Sequence, residues 1–186
     1  AMIKAKMDKI EELLTRGVAQ IIPTKEDLEK ELRSGKKLRL YTGIDPTGSQ
    51  VHIGHTAWMW KLRAFQDLGH EVIVLIGDFT GMIGDPSGKS DARKILTKEE
   101  VDKNAETYKE QIGKIIRFDG PNAATIRRNS EWHSKMSALE MAQNMSYLTF
   151  AQVLERDLFQ ERLKSGKDLY ISEFLYPFMQ GYDSVA

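Results

Sequence analysis

The sequence predicts an α/β fold built on a parallel sheet, with a helical segment ahead of it, and three observations carry that prediction. Two short runs rich in apolar residues, 38–44 and 71–76, have strand length. Between them Trp58, Leu62 and Phe65 recur at helical spacing, which makes a β-α-β unit. Each run ends in a turn signal: Asp45-Pro46-Thr47-Gly48 after the first, and a stretch with four glycines and one proline, 77–88, after the second.

Over residues 3–35 the apolar positions Ile10, Leu13, Leu14, Val18, Ile21 and Ile22 are spaced for a helix, and Thr24 ahead of an acidic run caps a second one. The first strand follows at 38–44. A helix opens near His52 or Ile53 and stops at Gly69, before a second strand whose nearly continuous apolar character suits burial on both faces. The stretch 77–88 reads as a loop or broken turn whose backbone a ligand approaches. Thr97 and Glu100 form a capping box for a helix running to about Arg117, and 125–128 is a short strand near Asn129 and Trp132. Ser134 or Ser137 starts another helix. Residues 149–164 form an amphipathic helix ended by Gly166, and Ser172 caps a last one holding Phe174, Tyr176, Phe178 and Met179. Residues 1–37 are therefore expected as a helical amino-terminal segment. Residues 38–186 are expected as an incomplete α/β domain, because the sequence stops at Ala186 without a cap or polar tail.

Composition narrows the function. Lys plus Arg and Asp plus Glu both number 27, so no net positive charge draws the chain to nucleic acid and any RNA contact is local. Without cysteine there is no disulfide framework and no thiolate metal site. No apolar run reaches the roughly 20 residues a membrane-spanning helix needs, so a cytoplasmic setting with no membrane is expected.

The chemistry concentrates in a few places. Pro46-Thr47-Gly48-Ser49-Gln50-Val51-His52-Ile53-Gly54-His55 lies between the first strand and the first helix of the sheet, where α/β folds bind nucleotides. His52 and His55 are three apart, so on a helical turn both imidazoles face one side, and Gly54 has no side chain to block a flat base or ribose. The helix amino terminus adds backbone amides where phosphate charge grows during transfer. The plain alternative is a pair of surface histidines in a capped turn. Lys89 and Arg93 are four apart and can both point at a phosphate if Arg93 starts a helical turn, or be two solvated cations of a charged loop. Tyr176, Gln180 and Asp183 fall at i, i+4 and i+7, a polar stripe on an aromatic helix, and core side chains hydrogen-bonded to one another would give the same pattern.

The run His52-Ile53-Gly54-His55 matches the HIGH signature of the class I aminoacyl-tRNA synthetases, and it follows a strand and opens a helix. Its surroundings, Tyr41-Thr42-Gly43-Ile44-Asp45-Pro46-Thr47, Gly81-Met82-Ile83-Gly84-Asp85-Pro86-Ser87-Gly88-Lys89 and Tyr176-Pro177-Phe178-Met179-Gln180-Gly181-Tyr182-Asp183, are similar to the tyrosyl-tRNA synthetases in particular. The resemblance runs from about Leu38 to the last residue.

That resemblance implies a Rossmann-like parallel sheet with a HIGH-type nucleotide site, present as its first half plus connective helices. The implied activity is that of a tyrosine-tRNA ligase, which activates L-tyrosine with ATP to tyrosyl-adenylate and transfers it to its tRNA, as a homodimer. It assigns Asp45, Pro46, Thr47, His52, Gly54 and His55 to ATP, and gives catalytic roles to Thr47, His52, His55, Lys89 and Arg93. Tyr176, Gln180 and Asp85 fall to the substrate ammonium, Tyr41 and Asp183 to the phenolic hydroxyl, and Asn129 and Trp132 to support near the pocket. No residue is assigned to a metal; Mg2+ comes with ATP. Lys135-Met136-Ser137 resembles the start of the second class I signature, KMSKS, but continues Ala138-Leu139 and precedes the tyrosine-pocket segment, so it is set aside. The true loop is expected beyond Ala186, with the second half of the fold. Three other readings stand beside this one: a tryptophanyl enzyme of the same architecture, a nucleotidyltransferase with a His-x-Gly-His turn, and a non-catalytic binding module.

Overall fold

The computed structural model describes residues 8–83 and 96–186. Three parallel strands, β1 (Arg39–Ile44), β2 (Glu71–Ile76) and β3 (Thr125–Arg128), lie in the order β1-β2-β3. Chain contacts group into two compact units, residues 1–42, 51–74 and 109–126 in the first and 43–50, 75–108 and 127–186 in the second, so each strand begins in one and ends in the other.

The first unit holds α1 (Lys9–Thr15), α2 (Lys25–Arg33), α3 (Thr56–Asp67) and nearly all of α6 (Tyr108–Gly113). Its core is apolar: Leu13, Leu14, Met59, Val72, Val74 and Ile112 are each at most 4% exposed. On α3 the buried face is Met59, Leu62 and Phe65, whereas Trp58 is only half-buried. The helical pattern of the first segment breaks earlier than its apolar spacing suggests. Helix α1 ends at Thr15 and Gly17 turns with φ 64°, while Lys61 Nζ caps the end by donating to the Leu13 and Arg16 carbonyls, both at 2.7 Å. Val18, Ile21 and Ile22 therefore lie outside any helix, and Ile22 is exposed. Thr24 caps α2 as expected, accepting from Asp27 N at 3.1 Å. Buried Gln66 ties α3 to the approach to β3: its Nε2 donates to the Arg117 and Asn122 carbonyls and its Oε1 accepts from Arg117 N.

The second unit contains α4 (Thr80–Ile83), α5 (Lys98–Ala105), α7 (Ser130–His133), α8 (Ala138–Met145), α9 (Phe150–Leu154), α10 (Asp157–Lys164) and α11 (Ile171–Tyr182). Phe159, Phe178, Met179, Val101, Leu75 and Ile76 form its apolar core. Residues 80–83, expected as loop, form a helical turn, and Gly81 gives it room: a β-carbon there would touch Pro46 Cδ at 3.4 Å. The capping box at Thr97 and Glu100 is present, but α5 stops at Ala105 instead of continuing to Arg117. Thr107 and Tyr108 interrupt it by donating their hydroxyls to the Ser49 and Gly48 carbonyls. Residues 149–164, expected as one helix, form two, α9 capped by Thr149 and then α10. The last helix starts at Ile171, one residue before Ser172, because Glu173 Oε2 accepts from Tyr170 N at 2.9 Å and so fixes the entry. Arg162 holds the same buried carboxylate at 2.6 Å.

Candidate active site

A buried polar network in the second unit gathers around the end of α11. Asp183 follows the helix as its C-cap, with a side chain only 8% exposed. Its Oδ1 accepts from the Trp132 indole N–H at 2.8 Å and meets His133 Nε2 at 2.8 Å, and its Oδ2 lies 3.3 Å from Asn129 Nδ2. The short helix α7 places Trp132 and His133, and its own start is fixed by Asp78, whose Oδ1 accepts from Ser130 N at 2.9 Å and Oδ2 from Ser130 Oγ at 2.7 Å. Arg128 sits 3.4 Å from Asp78 Oδ2 and 2.7 Å from Asp102 Oδ1. Fully buried Asn129 is a junction: Nδ2 also donates to Thr80 Oγ1 at 3.0 Å, and Oδ1 accepts from Phe79 N at 2.9 Å.

Thr80 carries the network to the turn after β1. Its hydroxyl donates to Asp45 Oδ1 at 2.8 Å, and the Tyr176 hydroxyl donates to Asp45 Oδ2 at 2.8 Å. The same turn is fixed from its carbonyl side, where Asn104 Nδ2 donates to Pro46 O at 2.9 Å, Tyr108 OH to Gly48 O at 2.6 Å and Thr107 Oγ1 to Ser49 O at 3.2 Å. Burial, and after it the Asp45 charge, pushes the Tyr108 phenol up, which keeps it a donor. Pro46 is buried, and Thr47 is exposed at the tip.

In the first unit, His52-Ile53-Gly54-His55 forms a 3₁₀ turn leading into α3. His52 Nδ1 accepts from Gly54 N at 3.1 Å, and His55 Nδ1 accepts from His52 N at 3.1 Å. With both Nδ1 atoms used as acceptors, the hydrogens reside on Nε2, so each ring offers one N–H donor. The rings stack with centroids 3.9 Å apart. Gly54 makes the stack possible, since a β-carbon there would lie 2.9 Å from His52 Cε1. Burial, then the neighbouring His52, lowers the His55 pKa below the ordinary imidazole value. Tyr41 stands on β1 in this unit, 38% exposed.

Of the residues singled out from the sequence, Asp45, Tyr176, Asp183, Asn129 and Trp132 thus belong to one hydrogen-bonded network. Gln180 is exposed and its amide oxygen accepts from Arg156 at 3.3 Å, so it joins a different group. Asp85, Lys89 and Arg93 lie outside the described residues. Asp78, Thr80 and His133 are network members that sequence reasoning missed. Only the position of His133 next to Trp132 hinted at one of them. Among the described residues no helix is long and apolar enough to cross a membrane, and no group of three or more His, Cys, Asp or Glu is placed to hold a metal ion.

Comparison with known proteins agrees with this architecture. Residues 33–186 match the family model described as tRNA synthetases class I (W and Y). The tyrosine-tRNA ligase of Desulfotalea psychrophila is 52% identical over 178 residues, 94% of this chain and 43% of that protein. Tyrosine-tRNA ligase 2 of Vibrio vulnificus is 49% identical over 186 residues, 100% of this chain and 45% of its own. A C-terminally truncated mitochondrial tyrosyl-tRNA synthetase of Coccidioides posadasii superposes with TM-score 0.77 at 30% identity, over 97% of this chain and 51% of that one. The chain thus spans less than half the length of these curated relatives. With the family model matched over residues 33–186, most of its length, the chain belongs to the class I tRNA synthetases of the tryptophan and tyrosine group.

Proposed function

We propose that this chain carries the amino-acid pocket and part of the nucleotide site of a tyrosine-tRNA ligase, with residues 38–186 as the catalytic region and 1–37 as a helical preface. The observation that carries the reading is Asp183, a buried carboxylate held by Trp132, His133 and Asn129. A carboxylate has about four acceptor positions. Three N–H groups leave room for one more donor, and a phenolic hydroxyl supplies it. An indole substrate also carries an N–H, but the relatives at 49 to 52% identity reported above are tyrosine-tRNA ligases. Tyr41 is assigned with Asp183 to the hydroxyl, and Tyr176 and Gln180 with Asp85 to the ammonium.

In the proposed reaction a carboxylate oxygen of tyrosine bonds to the α-phosphorus of ATP while the bond from that phosphorus to the β-bridging oxygen breaks, releasing pyrophosphate. The nucleophile is already ionised at neutral pH, so no general base is required. Catalysis then rests on alignment and on donors that bind the growing phosphate charge. His52 and His55 suit that role through their Nε2–H groups, with Thr47, Lys89 and Arg93 assigned beside them and Asp45, Pro46 and Gly54 to ATP. Magnesium enters with ATP as part of the substrate. Transfer to tRNA, the homodimer and a cytoplasmic setting belong to the same proposal. Isothermal titration with tyrosine, tryptophan and ATP tests it: tyrosine binds in preference to tryptophan, and equal or reversed preference contradicts the reading.

A further inference from the structure

His133 stands in the network without a part in the reaction as proposed. It closes α7 at 2% exposure, with its ring 5.5 Å from that of Phe79 and 5.8 Å from that of Tyr182. Its Nε2 is 2.8 Å from Asp183 Oδ1, whereas its Nδ1 is buried with no hydrogen-bond partner. A lone pair on Nε2 facing a carboxylate oxygen at that distance would be repelled. Nε2 therefore carries a hydrogen whether the ring is neutral or protonated, and it donates.

The consequence lies in how the Asp183 carboxylate is shared. Oδ1 receives two donors, Trp132 and His133, both at 2.8 Å, which fill its two lone pairs. Oδ2 receives one, Asn129 Nδ2 at the longer distance of 3.3 Å, and that amide also serves Thr80 at 3.0 Å. The two oxygens are thus unlike. We propose that His133 is a positioning residue for substrate selection: by saturating Oδ1 it stops the carboxylate from turning over and leaves Oδ2 as the oxygen that accepts a substrate hydroxyl. This rests on the tyrosine-pocket reading above and adds to it the residue that orients the acceptor. With Trp132 alone on Oδ1, the carboxylate could rotate and spend its free lone pair on another neighbour, and the preference for a hydroxylated ring over a bare one would fall. The unpartnered Nδ1 fits such a role, because a histidine kept for packing alone leaves a buried nitrogen that a phenylalanine would not.

The test compares the parent chain with His133→Phe, which keeps the ring and removes the donor, and His133→Gln, whose amide nitrogen reaches a similar point. Each is titrated with tyrosine and with phenylalanine, and the parent's ring nitrogens are read by ¹⁵N NMR. His133→Phe is expected to weaken tyrosine about tenfold or more while phenylalanine stays within about twofold, and His133→Gln to restore most of the difference. The parent spectrum is expected to show a protonated Nε2. Equal losses for both ligands, an unchanged ratio, or a bare Nε2 would overturn the assignment. Should His133→Phe fail to fold, the His133→Gln ratio and the parent spectrum decide. A parent that shows protonated Nε2 yet binds no tyrosine overturns the functional reading itself, whereas a parent that binds tyrosine and a His133→Phe chain with the same ratio overturn only the role of His133.

Discussion

Gly77 leaves the space of its missing side chain to Asp45: a β-carbon built there would lie 1.9 Å from Asp45 Oδ1 and 2.5 Å from Thr80 Oγ1. Gly77 N also bonds to the Ile44 carbonyl at 2.9 Å, so the backbone cannot easily retreat. Gly77→Ala is expected to destabilise the chain by about 1–3 kcal/mol through overpacking. It should also weaken tyrosine binding, since displaced Asp45 would release the Tyr176 hydroxyl. Urea denaturation and calorimetry check both effects, and an unchanged midpoint would contradict the close approach.

Asp183→Asn puts an amide where three N–H groups converge, and either orientation turns its NH2 toward at least one of them. Leaving buried donors unpaired costs about 1–3 kcal/mol, so stability is expected to fall by that order. Tyrosine should lose more affinity than phenylalanine, which never used the carboxylate. Parallel loss for both ligands would remove Asp183 from hydroxyl recognition.

Acidification should destabilise the fold through His70. Its Nδ1 accepts from Leu38 N at 3.3 Å, and burial, then Lys37, holds its pKa below the ordinary imidazole value of about 6.5. His55 is lowered in the same direction. In the pH range between those lowered values and about 6.5 the unfolded chain binds more protons than the folded one, so stability falls as pH drops through that window and is flat above it. Denaturation midpoints at several pH values, with His70→Asn for comparison, measure the slope. The variant should lose part of it, and identical slopes would contradict the prediction.

Gly54→Ala separates local geometry from stability. The added methyl would meet the His52 ring at 2.9 Å, but that ring is exposed and can swing away. The denaturation midpoint is expected to move little, by about 0.5 kcal/mol or less for a site with free space around the ring. ATP affinity should fall, because the stacked pair of donors is lost. Unchanged ATP affinity would exclude the stack from nucleotide binding.

What the sequence made legible was what is decided locally. β2 and β3 occupy the expected residues because each is a short run of strand-forming residues between turn signals. Thr24 and Thr97 cap helices, as does Ser137, one of the two serines the sequence offered, since a cap needs only a side chain and the amide three residues on. Helix ends were not legible where distant groups set them: Lys61 closes α1 from 48 residues away, and Tyr108 interrupts the predicted long helix by binding Gly48, 60 residues earlier. The candidate site divides in the same way. The stripe of Tyr176, Gln180 and Asp183 is visible from helical spacing alone, although Gln180 pairs with Arg156 outside the network. Its partners are not, because His133 and Asp183 are 50 residues apart and Thr80 and Asp45 are 35 apart, and nothing in either neighbourhood signals the other.

The most direct measurement of the central claim is the indole N–H spectrum of the chain during titration with amino acids. Only three tryptophans are present, so Trp132→Phe assigns the Trp132 signal. That N–H donates to Asp183 Oδ1, and a hydroxyl arriving at the same carboxylate changes the charge it feels. Tyrosine is expected to shift the Trp132 signal in a saturable way, and phenylalanine at equal concentration to leave it in place. A Trp132 signal that ignores tyrosine, or that moves equally with phenylalanine, would contradict the assignment of Asp183 to the substrate hydroxyl.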